Sequence, residues 1–167
     1  MSGGDRPSPT QWREALRWFA FALDDLRLAQ LAFRDGAVLG GATLHVQQTT
    51  EKVLKALLVA KAADVRRVHD INELAGIAHR HWPEVIANPF PLARVTAWYI
   101  VTRYPGLDDI SVGADEVAAA LGEVRVLIGK LVELVPSDLL TESGIAEKWQ
   151  DSNSVSGPST NAGGGCG

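Results

Sequence analysis

Four side chains that can do chemistry fall within about two helical turns of sequence: Gln48, Glu51, Lys52 and Lys55, at offsets of three, four and seven. On a helix, Gln48, Glu51 and Lys55 share a face. Two ammonium groups beside a carboxylate and an amide can hold a phosphate and read a base edge or a sugar hydroxyl. The same residues also suit a plain solvated helix face with a Glu51–Lys55 ion pair, worth about 0.3–0.5 kcal/mol when exposed. A second candidate is Arg66-Arg67-Val68-His69-Asp70. His69 there can act as a base or bind a metal, with Asp70 either orienting it or capping the helix that follows. The third is Arg103-Tyr104-Pro105. Arg103 can satisfy the carbonyls that end its helix, or turn toward the second helix and grip a phosphate through two nitrogens.

Other chemistry finds no support. His79 and His81 are two residues apart, and on a helix such side chains diverge rather than chelate. No phosphate loop, dinucleotide-binding glycine pattern, paired cysteines or zinc-protease motif is present, so neither a metal nor a cofactor is expected.

The elements that must position these residues read as helices throughout. Trp12, Leu16, Phe19, Leu23, Leu26 and Phe33 lay one apolar stripe along a helix from about Thr10, its expected N-cap, to Arg34. Leu44, Val53, Leu54, Leu57 and Leu58 do so for a second, from Gly40 to Ala63. A third starts at Asp70, with Glu73 three residues on in a capping-box arrangement, and stops at Pro83. A fourth spans Pro91 to Arg103 and a fifth Ala114 to Leu134, where Val117, Leu121, Val124, Ile128 and Leu131 form the cleanest seam. No sustained alternation predicts a strand. The fold class is therefore all-α, an antiparallel up-and-down bundle of four to five helices.

Composition divides the chain into a bundle, residues 1–135, and a Ser/Gly-rich tail, 136–167, expected to be largely disordered apart from a helical turn near Ile145–Trp149. In that tail four acids face one base, which leaves the bundle of a chain with net charge −4 nearly neutral. A neutral bundle argues against a broad non-specific nucleic-acid surface. The single cysteine, Cys166, sits among glycines and cannot form an internal disulfide. That suits a reducing cytoplasm, and no membrane segment is expected. Trp18 and Phe21, off the main stripe of the first helix, suggest an exposed apolar patch and a self-associating chain.

The stretch Gln47-Gln48-Thr49-Thr50-Glu51-Lys52-Val53-Leu54-Lys55-Ala56-Leu57-Leu58 resembles the glutamine–glutamate–lysine–alanine–leucine helix of the HEPN domain family. His69-Asp70, Leu74 and Arg103-Tyr104-Pro105 are similar to the blocks that follow in that family, and Asp25, Leu28 and Ala29 match its first helix loosely. The resemblance implies a helical bundle, a homodimer, and a module paired with a minimal nucleotidyltransferase in a toxin–antitoxin-like system, binding a nucleotide, RNA or a partner's loop. The candidate ligand-binding residues, on a polar face of a helix that would otherwise face the core, are Gln48, Glu51, Lys52, Lys55, His69, Arg103 and Tyr104. Ribonuclease members carry an arginine and a histidine separated by four to six intervening residues. No histidine here has such an arginine, and after Arg103 the equivalent positions are Asp108, Asp109 and Ile110. Catalysis is therefore not expected. The alternatives are a ribonuclease with an altered site, using His69 with Arg103, and a non-catalytic dimerisation scaffold.

Overall fold

The computed structural model describes residues 6–36, 39–65, 67–98 and 112–154. These form an all-α bundle with no strand among the described residues. Its α-helices are α1 (Pro9–Asp35), α2 (Leu39–Ala60), α3 (Ile71–His81), α4 (Ala114–Leu134), α5 (Ser137–Glu142) and α6 (Ile145–Ser154), with a 3-10 helix at Pro91–Thr96 between α3 and α4. None of these helices is long and apolar enough to cross a membrane.

α1 and α2 form an antiparallel hairpin that carries the site. Trp18 of α1 meets Lys55 of α2, whereas Asp25, further along α1, meets Lys52 and His45. The apolar stripes close between them: Phe19, Leu23 and Leu26 of α1 and Leu54, Leu57 and Leu58 of α2 belong to one core cluster, all essentially inaccessible to solvent. Each such side chain contributes about 1.5–3 kcal/mol through burial. α3 and α4 complete the core through Leu74, Val124 and Ile128. At the far end of the hairpin Trp82, which caps α3, donates its indole N–H to the Leu57 carbonyl at 2.9 Å. Its ring packs 6.2 Å from that of Trp12.

Several boundaries differ from the sequence expectations. α1 is capped by Ser8 rather than Thr10, because Pro9 suits the first helical position. Gln11 completes a capping box: its amide donates to Ser8 Oγ (3.3 Å) while its side-chain oxygen accepts from the Ser8 amide (2.6 Å). α2 stops at Ala60, and Ala62 turns the chain with a φ of 58°. The expected fourth helix begins at Pro91 as anticipated but is a 3-10 helix to Thr96. Residues 99–111, including its end at Arg103, lie outside the described residues.

The largest difference is beyond Pro136. Instead of a disordered stretch, residues 137–154 form α5 and α6, and they pack on α1. Leu139 and Ile145 are 3% and 1% exposed. Gln30 of α1 donates to the Ser152 carbonyl at 3.0 Å. Exposed pairs Arg13–Glu142 and Lys148–Asp24 run along the rim and add at most about 1 kcal/mol each. Five of the tail's six glycines fall after residue 154, and in the tail's overall composition they mask an amphipathic segment before it.

Candidate functional site

The polar residues of α2 are buried to a degree that their spacing does not reveal. Glu51 and Lys55, readable in sequence as a solvated pair, are 6% and 1% exposed. They are joined at 2.9 Å. Glu51 is the centre of a small network. One carboxylate oxygen accepts from both Lys55 Nζ and His69 Nδ1 (3.0 Å). The other accepts from Gln47 Nε2 at 3.2 Å, and Gln47 in turn accepts from Gln48 Nε2 at 2.7 Å. The Lys55 ammonium also stands 5.2 Å from the centre of the Trp18 ring, close enough for a cation–π attraction strengthened by desolvation.

A second, parallel arrangement lies one helix stripe away. Asp25 of α1, 8% exposed, binds His45 Nδ1 at 2.9 Å through one oxygen and the Lys52 ammonium through the other. His45, Gln48 and Lys52 follow one another at offsets of three and four, so they line one stripe of α2 beside the stripe of Gln47, Glu51 and Lys55. Gln48 is half-buried.

Each acid thus holds one lysine and one imidazole. An ionised carboxylate can only accept, so each imidazole presents its N–H at Nδ1 and, when neutral, keeps Nε2 as a lone-pair acceptor. Exposure separates the cluster into two layers. The side chains of Asp25, Glu51 and Lys55 are 11%, 8% and 2% exposed, whereas those of His69, His45 and Lys52 are 71%, 28% and 24% exposed. The inner groups neutralise one another and orient the outer ones. The outer layer of His45, Gln48, Lys52 and His69 can hydrogen-bond or attract an anion.

The residues singled out in the sequence therefore divide. Glu51, Lys55 and His69 come together directly, with Gln48 joined to them through Gln47. Lys52 turns instead to Asp25. Asp70 does not orient His69: its carboxylate accepts from the Asn72 and Glu73 amides at 2.7 and 3.1 Å and caps α3. Arg103 and Tyr104 lie outside the described residues. Asp25, His45, Gln47 and Trp18 belong to the site although sequence reasoning did not choose them. The His45-x-x-Gln48-x-x-x-Lys52 spacing was the available signal for one of them, and an aspartate on the side of α1 that carries Leu23 and Leu26 was the signal for another. His79 is engaged elsewhere, with its Nδ1 2.6 Å from the Ile86 carbonyl oxygen. Among the described residues no group of three or more acids, histidines or cysteines could hold a metal.

A helical hairpin whose second helix presents this glutamine–glutamate–lysine pattern over a shared polar cluster defines a class. The chain matches the HEPN domain over residues 15–135, most of its length, and belongs to that family. No curated protein and no solved structure matches it.

Proposed function

We propose that the chain is a nucleotide-binding HEPN module, non-catalytic in itself, that acts with a nucleotidyltransferase in a toxin–antitoxin-like system. The observation that carries the nucleotide reading is the pair of buried carboxylates, each fixing an imidazole and a lysine along α2. Lys52, and the two imidazoles through Nε2 in their protonated form, supply donors for a phosphate, and Gln48, with both a donor and an acceptor, suits a base edge or a ribose hydroxyl. Glu51, Lys55 and Asp25 serve as supports, since their charges are already matched in the interior. Arg103 and Tyr104 complete the proposed ligand set. Calorimetry with ATP and GTP tests the reading. Binding that weakens by about tenfold or more in Lys52→Ala and His69→Ala, the loss of one charge-assisted hydrogen bond, is the expected result. Absence of heat at millimolar nucleotide contradicts it.

A ribonuclease reading draws on the same two dyads. An imidazole backed by a carboxylate is the constellation that takes a proton from a hydroxyl. Incubation of the purified chain with RNA, repeated with His45→Ala, His69→Ala and Arg103→Ala, separates the readings. Cleavage that disappears in these variants replaces the binding module with an enzyme. Intact RNA throughout leaves the module.

A further inference from the structure

Of the two residues whose position suggested an apolar patch on α1, Trp18 is partly buried against the core, leaving Phe21 at 62% exposure. A larger apolar surface lies elsewhere, and it is concave. A cleft of about 500 Å³ opens between α4 and the Pro91–Thr96 helix with the segment that precedes it. It shares no lining residue with the polar layer of α2.

We propose that this cleft binds a small amphipathic carboxylate, one aliphatic chain carrying a single anionic head. Its volume falls in the range of small-molecule sites, and its lining has their usual make-up, apolar with few polar groups. Val85, Phe90 and Leu92 line one side and Val126 and Leu127 of α4 the other. Between them α4 contributes only the short side chains Ala118 and Ala119 and the bare Gly122. A Cβ on Gly122 would meet nothing within 4 Å, so the room beside it is free for a chain.

The charges select the head group. Two charged residues line the cleft, Glu123 and Lys130. Glu123 is already matched by Arg94, 2.8 Å away. Lys130 is exposed and has no ion pair or hydrogen bond among the described residues. It is therefore the unmatched charge on the lining. Seven residues separate it from Glu123, about 10 Å of helix rise. A carboxylate on the Lys130 ammonium, with its chain running along α4 toward Gly122, uses both the cation and the apolar length. A wholly apolar ligand would leave the ammonium unused, and a cationic amphiphile would be repelled by it.

Calorimetry on the full chain with butyrate, hexanoate, octanoate and 1-octanol tests the site. Octanoate is expected to bind saturably below about one millimolar, and each methylene removed to weaken binding by about three- to fourfold. Lys130→Met is expected to weaken octanoate by about three- to tenfold without weakening 1-octanol. Gly122→Leu is expected to abolish binding of both while preserving the melting temperature, because its side chain enters free space. Absence of saturable heat from millimolar octanoate overturns the proposal, as does octanoate binding indifferent to Gly122→Leu or an equal loss of octanoate and 1-octanol in Lys130→Met. A Gly122→Leu chain that melts lower, or that loses a dimer seen in sedimentation of the wild type, also overturns it, since the cleft would then hold part of the protein itself or a second copy.

Discussion

Glu51 and Lys55 show how a residue's role follows from what covers it. At 6% and 1% exposure, neither can be removed as if it lay on a surface. Glu51→Ala leaves the Lys55 ammonium buried without its counter-charge and should destabilise the fold by about 3–5 kcal/mol, measured by urea denaturation. The double variant Glu51→Met/Lys55→Met removes both charges together and should recover a large part of that loss, because well-packed apolar side chains replace buried ion pairs at little cost. His69→Ala, at a side chain 71% exposed, should change stability by less than about 1 kcal/mol. That contrast separates the supporting layer from the accessible one. Trp82→Phe should cost about 1–3 kcal/mol by leaving the Leu57 carbonyl without its indole donor. At this scale the sequence made part of the site legible. Helical spacing identified Glu51 and Lys55 as neighbours, and the composition of the 47–58 stretch marked it out. Spacing within α2 carries no information about which stripe α1 covers, so Asp25 and the burial of the ion pair were beyond it.

The helices themselves were the most readable feature, because each buries one apolar stripe and the 3.6-residue period writes that stripe into the sequence. Ends were less readable. Ser8 and Thr10 are both competent caps, and the choice depends on Pro9 and on the reach of Gln11. Ser8→Ala should cost about 1 kcal/mol, seen as a lowered melting temperature. Helices α5 and α6 were the element-level surprise. They are short, and segments of this length are not stable as isolated helices. They persist because Leu139 and Ile145 are buried in the bundle. A chain ending at Pro136 forfeits about 1.5–3 kcal/mol for each of those two side chains. It should therefore melt well below the full-length chain in calorimetry. An equal melting temperature would mean that α5 and α6 merely rest on α1.

For the molecule as a whole, membership of the HEPN family and the geometry of the hairpin lead to one arrangement. The α1–α2 pair holds two buried carboxylates, each beside a lysine, inside and a layer of imidazole, amide and ammonium groups outside. Arg103 and Tyr104 are part of the proposed ligand set. The claim on which the functional account rests is that the outer layer receives a phosphate-bearing nucleotide. The most direct measurement is a nitrogen-15 correlation spectrum of the imidazole side chains, followed as ATP is added. The account predicts that the Nε2 resonances of His45 and His69 shift together and saturably while those of His79 and His81 stay in place. Unchanged His45 and His69 resonances at millimolar ATP would contradict it.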